Sequence, residues 1–548
     1  MSIRSVGFYK LPNEILAMIF VYVRQLSLAR HHNPRLRLRS VNRFKWTHIM
    51  LVCRLWRGVA LATATLWTVI NVPSETYWDQ DEPPAITIRT KENAMKWFNL
   101  ILSRSAEAPL ELDFTHTAFL GGAFPILATE SHRIRSLSVL DDLHFAQAAL
   151  SILQLDLPAI VELDMLYDED SSYKHRINRL ESPPTRRANI TPERYPSLRI
   201  IRLSNFALPG ASASMIFPQL ERLDLRFCSF ESYPASLDNL LGVLAGCPIL
   251  VELQLHFVLS MLADNAPPQV KQTIPLNKLQ KLVLRDVSLV TRHFLKHISV
   301  PATTTLRVIG VVDGHNDDVN PYRALLSIVP NPRHFPILGV LTEGAIRTPH
   351  GPLQLELCSP TAKLSVRVYQ PSHERNVLTA CIRALCTLCA KSPLTTLAVE
   401  SDFDQVEGTG AWRRLFGTFR TLEHLQLIGK GSILCLLSTL GQPPGKQSAD
   451  ADAEDDDLPA CPRLRSIDIF MADWVPGLME ALTGVLRSRA ASGLPKLEII
   501  GMSLGASSSD GSLEEGNKAV EWYESEIGSY VGCFNWEVTD NSYYWPLQ

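Results

Sequence analysis

The sequence predicts a mixed α/β chain in which a short helical unit precedes a solenoid of strand-bearing repeats. Three observations carry that reading. Two apolar stretches near the start, "LPNEILAMIF" (11–20) and "HIMLVCRLWRGVALATATLWTVI" (48–70), have helical spacing; the phrase L-x-x-L-x-L then returns six times; and 548 residues exceed one ordinary core.

Composition sets the frame. Hydrophobic residues make up 46% and charged residues 20%, with a net charge of -3, the balance of an ordinary globular chain rather than a collagenous or disordered one. The charge is unevenly spread: Ile15 to Ser74 holds nine Lys or Arg and no Asp or Glu, which leaves -3 - 9 = -12 for the remainder. Ten dispersed cysteines fit a reducing compartment, so an intracellular protein, cytoplasmic or nuclear, is expected. The N-terminus lacks the order of a signal peptide. The longest early apolar run, Ile15 to Val23, is nine residues, about half a membrane span, so no membrane partner is expected.

Pro12 suits the first turn of a helix, and Ile15, Leu16, Ile19, Phe20 and Val23 recur at helical spacing, which predicts a helix over about 12–24. Ala17, Met18, Val21 and Tyr22 make it apolar nearly all round, so it requires neighbours on more than one side. Trp46, Ile49, Val52, Cys53, Trp56 and Val59 predict a second, amphipathic helix with Arg54 and Arg57 on its other face. Some sixty residues bury too little surface to use all of these apolar positions internally. Part of that surface should face the next domain or another protein.

The pattern Leu11-Pro12-x-Glu14-Ile15-Leu16-x-x-Ile19-Phe20, followed by Val52-Cys53-x-x-Trp56, Ala60 and Leu66-Trp67 with Ile70, resembles the F-box motif. It is most similar to the F-box proteins abundant in mushroom-forming fungi, in which W-x-x-I-x-x-V-C-R-x-W-R-x-x-A-L precedes a Leu-Trp pair; Trp46 to Leu61 fits that form. The resemblance implies binding to a Skp1-type adaptor and, through it, to a cullin-RING ubiquitin ligase whose other subunits supply catalysis. It places Leu11, Pro12, Ile15, Leu16, Ile19 and Phe20 at or beside the adaptor, with Val52, Cys53 and Trp56 serving the second helix. Residues 24–45 separate the two halves by more than the compact family form does; their seven basic residues read first as a solvated loop, with an acidic adaptor surface or nucleic acid as the alternatives they would suit.

Downstream, "MKWFNLILSRSAEAPLELDF" (95–114) predicts a helix and then a strand begun by Pro109. The repeat phrases are "LRIIRL" from 198, "LERLDL" from 220, "LVELQL" from 250, "LQKLVL" from 279, "LEHLQL" from 422 and "LRSIDI" from 464. Alternation along each phrase lays one strand per repeat, with the first Leu turned into the same core. Cys228 stands where leucine-rich repeats place Asn or Cys, so the expected architecture is a leucine-rich-repeat-like horseshoe. Weaker phrases start at Ile134, Ile160, Leu306, Leu394 and Leu497, and 310–392 holds only degenerate versions. The expected domains are an adaptor-binding helical unit (1–75), a linking segment and cap (76–130) and the repeat domain (131–548), with loops at 167–195 and 441–460. Eight aromatics between Trp522 and Trp545 would cap the open end of the repeat core.

Catalytic chemistry finds little support. Gly501-Met502-Ser503-Leu504-Gly505 matches a nucleophile elbow, but a Ser/Gly loop follows and no His lies beyond Ser503. Cys381, Cys386 and Cys389 with His373 could ligate zinc, yet "NVLTACIRALCTLCAK" reads as an apolar helix whose cysteines pack inside. Neither a cofactor nor a metal is expected, nor is nucleic acid. Outward strand positions lean basic, and Arg202, Arg222, Arg226, His256, Lys281 and Arg285 are the candidates for meeting an acidic or phosphorylated segment of an unknown target protein. The leading expectation is a non-catalytic substrate-recognition subunit of an SCF-type (Skp1-cullin-F-box) ligase. The alternatives are a repeat scaffold without a ligase and, remotely, a hydrolase built on Ser503.

Overall fold

The computed structural model describes residues 11–29, 41–72, 84–114, 120–141, 150–167, 187–209, 216–230, 237–262, 273–311, 325, 335–348, 353–369, 377–405, 408–441, 460–472, 477–505 and 521–539. The chain divides into two compact units, Met1–Leu250 with Met261–Pro268, and Val251–Ser260 with Gln269–Gln548.

The first unit opens with helix α1 (Asn13–Ala29), one turn longer than its apolar run because Arg24, buried, donates to the Thr65 carbonyl at 2.6 Å and ties the helix to the chain beyond. The expected second helix is broken. A 3-10 helix spans Val41–Leu51, and α2 (Arg54–Ala62) starts afresh after it. Cys53 sits between them with φ -160° and ψ 170°, and its sulfur accepts the Trp56 amide N–H at 3.4 Å, acting as the N-cap. Of the expected loop at 24–45, residues 24–29 extend α1 and 41–45 begin the 3-10 helix, while 30–40 lie outside the described residues.

Strands follow at once. The first unit contains β1 (Val69–Val72), helix α3 (Pro84–Ser105), β2 (Leu110–Phe114), α4 (Leu120–Thr129), β3 (Ile134–Asp141), β4 (Glu162–Tyr167), β5 (Ile200–Ser204), β6 (Ala207–Leu208), β7 (Arg222–Arg226), β8 (Ser229–Phe230) and α5 (Leu237–Ala245). β1, β2, β3, β4, β5 and β7 pair in that order, every pair parallel, and β6 pairs β8 beside them. The stretch expected as a loop at 167–195 is packed at its end: Ala188, Ile190 and Tyr195 are buried, and the Tyr195 hydroxyl donates to the Leu153 carbonyl at 3.0 Å. Residues 168–186 lie outside the described residues.

The second unit holds β9 (Glu252–His256), β10 (Ile274–Pro275), β11 (Lys281–Val287), α6 (Ser288–Leu295), β12 (Ile298–Ser299), β13 (Thr305–Val311), β14 (Glu343–Arg347), β15 (Leu353–Cys358), β16 (Lys363–Tyr369), α7 (Val377–Leu388), β17 (Thr396–Glu400), α8 (Gly410–Thr418), β18 (His424–Ile428), α9 (Leu434–Leu440), β19 (Ser466–Ala472), α10 (Leu478–Ala491), β20 (Leu497–Gly505) and β21 (Val531–Thr539). β9, β11, β13 and β16 run parallel, as do β14, β17, β18, β19, β20 and β21. Between these runs β15 is antiparallel to both β16 and β14. The chain therefore skips two strand positions after β13, lays down β14, and returns through β15 and β16. That meander needs hairpin turns instead of repeat turns, which accounts for the degenerate phrases in 310–392. Helices α7, α8, α9 and α10 pack in succession along one side, with α6 against β11 and β13 and α7 against β14 and β15.

All six repeat phrases become strands that begin two residues after the first Leu. In Tyr195-Pro196-Ser197-Leu198, Phe217-Pro218-Gln219-Leu220, Cys247-Pro248-Ile249-Leu250 and Cys461-Pro462-Arg463-Leu464, the Leu amide donates to the carbonyl three residues back at 3.3, 2.9, 3.2 and 3.1 Å. Pro at the second turn position presets the φ such a turn requires. Each of these Leu side chains is at most 1% exposed, as are the inward pairs Ile201/Leu203, Leu223/Leu225, Leu253/Leu255 and Leu282/Leu284. Full burial of such a side chain contributes about 1.5–3 kcal/mol, so the repeat core is the main stabilising element. The strands end alike: Asn205, Phe227 and Phe257 take left-handed φ values of 67°, 52° and 53°. The amides of Asn205 and Phe257 then donate to Arg226 and Arg285 of the next strand at 2.8 and 2.7 Å.

No helix among the described residues is long and apolar enough to cross a membrane.

Candidate functional site

Helix α1 is two-faced in burial although it is apolar nearly all round. Leu16 and Phe20 are buried, while Ile15 (42%), Ile19 (41%), Met18, Tyr22 and Leu26 form an exposed stripe at steps of three and four. Leu11 is half-buried and Pro12 exposed. Leu51, Val52 and Leu55 are exposed around the break before α2, where Cys53 and Trp56 are half-buried. Of the thirteen exposed large apolar side chains among the described residues, eight therefore fall between Ile15 and Leu55. Such a concentration marks an interaction surface far better than scattered exposure does.

Packing beneath this face is aromatic. The Phe20 and Trp56 rings lie 5.2 Å apart, and Trp46 meets Trp67 edge-on at 5.4 Å. Trp67 donates its indole N–H to the Ala60 carbonyl at 2.9 Å. Leu16, Phe20 and Trp56 thus support the face from within, whereas Ile15, Ile19 and Val52 belong to it. The basic character is also sorted by burial: Arg24 is interior, its pKa lowered by desolvation against the pull of Glu111, while Arg54 and Arg57 stay at the surface.

Carboxylates share the outward strand positions with the expected cations. Arg202 is held by Glu162 at 2.6 Å and Asp164 at 3.1 Å, and Arg226 by Asp224 at 2.9 Å. Burial pushes the Asp164 carboxyl up to about 7, against the opposing pull of Arg202. Lys281 pairs with Glu252. Arg285 is half-buried with its guanidinium 5.6 Å from the Phe257 ring centroid, and half-buried His256 is its register partner on β9. Arg222 is exposed. Arg202 and Arg226 in the first unit and Lys281 in the second are thus each engaged by carboxylates on their own or a neighbouring strand.

Sequence reading missed the arginines of the irregular middle. Arg307 on β13 is exposed, and Arg367 on β16 is half-buried with Glu356 at 3.7 Å. Burial first, and then the nearby charges of Arg367 and Arg285, lower the Arg307 pKa. Strand alternation in "TLRVIGV" and "KLSVRVY" was the signal that could have found them.

The alternative chemistries meet different geometry. Ser503 lies in the interior of β20, opposite Phe470 and Glu537 in register, so its backbone runs on as strand where an elbow requires a sharp turn. Cys381, Cys386 and Cys389 are buried with their thiol pKa values raised by desolvation, and His373 lies outside the described residues. Among the described residues no cluster of three His, Cys, Asp or Glu side chains could hold a metal ion. Of the C-terminal aromatics, Trp522 meets Phe534 at 6.0 Å and donates to Thr483, while Tyr543, Tyr544 and Trp545 lie outside the described residues.

No family model matches the chain, and no curated protein matches it. Eight chains of solved structures match, among them TLR13 in a complex with ssRNA13, at 10% identity and a TM-score of 0.25, covering 80% of this chain. This chain spans 56% of the length of that one. The strand register described above, and not that likeness, carries the description of a mixed α/β fold with long parallel ladders.

Proposed function

We propose that this chain is the non-catalytic substrate-recognition subunit of an SCF-type ubiquitin ligase. Its N-terminal helices bind a Skp1-type adaptor, and its outward strand face receives the target protein. The observation that carries the reading is the concentration of exposed apolar side chains on α1 and around Val52, in the segment whose motif resembles an F-box. Each anchor transferred out of water contributes about 1.5–3 kcal/mol, so Ile15, Ile19 and Val52 with their neighbours supply enough to offset the entropy lost on association.

The strand face supports the second half of the reading. Parallel sheets are usually covered on both faces, whereas alternate residues of β9 and β17 are only half-buried here and Thr305, Arg307 and His424 of β13 and β18 are exposed. Co-expression of the full chain with a Skp1-type adaptor, followed by gel filtration, tests the proposal: co-elution as one complex is expected. Separate elution of two folded proteins would leave a repeat scaffold whose opening helices have another partner.

A further inference from the structure

The buried face of α1 carries Leu16, Phe20 and Arg24 at steps of four, so a guanidinium takes the third place in a row whose first two are apolar. Arg24 is 7% exposed. Its Nη1 donates to the Thr65 carbonyl at 2.6 Å and to the Thr68 hydroxyl at 3.2 Å. Thr68 immediately precedes β1, and its own carbonyl accepts the Glu111 amide N–H at 2.9 Å, beside the ladder in which Val69 stands opposite Glu111. A path of bonded groups thus runs from α1 through Arg24 and Thr68 into the sheet. All of it lies within the first unit.

Stability does not account for an arginine at this place. A methionine or leucine at 24 would continue the apolar row, whereas a guanidinium gives up its hydration there. Its partners do not need it either: the Thr65 carbonyl also accepts the Thr68 hydroxyl at 3.1 Å, so removing Arg24 orphans neither oxygen. What the arginine adds is direction. Leu16 and Phe20, the latter against the Trp56 ring, hold α1 by apolar packing, which keeps a helix in place before it makes its placement unique. A hydrogen bond fixes both a distance and an angle. Ile15 and Ile19 lie on the opposite, exposed side of the same helix, so the roll that Arg24 sets is the roll at which they are presented.

We propose that Arg24 is a positioning residue that fixes the angle between the exposed stripe of α1 and the strands of the first unit. An adaptor seated on that stripe then holds those strands in one orientation. The purpose of the device rests on the adaptor-binding reading above; the angle itself is measurable without an adaptor.

The test is double electron–electron resonance on the full chain, with spin labels at Gln25 on α1 and Arg135 on β3, both exposed. The labels are attached through ketone-bearing residues, which leaves the cysteines untouched. The wild-type arrangement is expected to give one narrow distance. Arg24→Met is expected to broaden that distribution about twofold or more, while the melting temperature stays within about 3 °C. Arg24→Lys, which keeps the charge and loses the planar fork, is expected to fall between. Phe20→Leu, which trims the packing and keeps the arginine, is expected to lower the melting temperature and retain the narrow distance. An unchanged narrow distance in Arg24→Met would overturn the proposal, as would equal broadening in Arg24→Met and Phe20→Leu. So would a melting temperature lowered by more than about 3 °C, or a failure to fold, in Arg24→Met, since the arginine would then hold the helix instead of aiming it. Calorimetry against a Skp1-type adaptor on the same samples keeps the two readings apart: a wild-type chain whose narrow distance is lost in Arg24→Met, but which binds no adaptor, supports the positioning role and counts against the adaptor reading alone.

Discussion

Phe20 and Trp56 meet with their ring centroids 5.2 Å apart and their planes inclined by 58°, joining the first helix to the helix that Cys53 caps. The contact holds together two segments whose outer sides, Ile15 and Ile19 on one and Val52 and Leu55 on the other, are exposed. Support and surface are therefore separable by mutation. Phe20→Ala is expected to cost about 3–5 kcal/mol in the stability of the helical unit, the range for deleting a buried ring. Ile19→Asp is expected to leave it unchanged within about 0.5 kcal/mol. Urea titration followed by tryptophan fluorescence distinguishes them, and equal losses would show that Ile19 is a packing residue.

The repeat turns make a second prediction. Gly429 has φ 138°, and a Cβ added there would sit 1.8 Å from the Ser401 carbonyl oxygen, where no side chain can shift to make room. Gly477 also has a left-handed φ, 89°, but nothing lies within 4 Å of its Cβ position. Gly429→Ala is therefore expected to lower the melting temperature well beyond Gly477→Ala, whose cost is of the order of 1 kcal/mol of backbone strain. Similar melting temperatures for the two would contradict the close approach of β17 and β18 at this turn.

Burial of Asp164 predicts a pH dependence with a definite sign. Its folded-state pKa, pushed up to about 7, stands above the ~3.9 of an unfolded aspartate. Between those values the folded chain retains a proton that the unfolded chain has released, so this group's contribution falls as pH rises from about 4 to about 7 and is constant above. Asp164→Asn removes the effect. The difference in urea midpoint between pH 5 and pH 8 is expected to shift toward higher relative stability at pH 8 in the variant; parallel curves would show that Arg202 already offsets the burial.

Thiol accessibility tests the core directly. All ten cysteines are free, and Cys228, Cys247, Cys381, Cys386, Cys389 and Cys461 are buried. Desolvation pushes Cys228, Cys389 and Cys461 up to about 12, so their reactive thiolates are scarce at neutral pH. In the native protein a disulfide reagent should react first with exposed Cys533, more slowly with Cys53, Cys358 and Cys435, and with the other six only on unfolding. Mass spectrometry of the labelled peptides reads this out. Early labelling of Cys381 or Cys389 would contradict the packing of α7.

The repeat strands were legible because a two-residue period and an inward leading Leu are local signals: Ile201/Leu203 and Leu223/Leu225 sit where alternation places them, and Leu198, Leu220 and Leu464 lead in, buried, from the turn before each strand. The Pro196, Pro218, Pro248 and Pro462 turns were equally local and went unread. The β14–β15–β16 meander was not legible, since the strand order depends on which distant partner each strand meets. The break at Cys53 escaped because apolar spacing runs straight through it, and only the extended backbone of one residue shows the new cap. The ion pairs of the basic strip were not legible for a similar reason: the sequence shows Arg202 as outward, but its pairing depends on Glu162 and Asp164, some forty residues away in the chain.

The central claim, that the exposed stripe of α1 seats a Skp1-type adaptor, is tested most directly by calorimetry of the full chain against purified adaptor, beside a variant carrying Ile15→Asp and Ile19→Asp. Binding by the wild type, lost in a variant whose thermal melt is unchanged, is the predicted result. A folded wild-type chain that gives no binding heat, or a folded double variant that binds as well as the wild type, would contradict it.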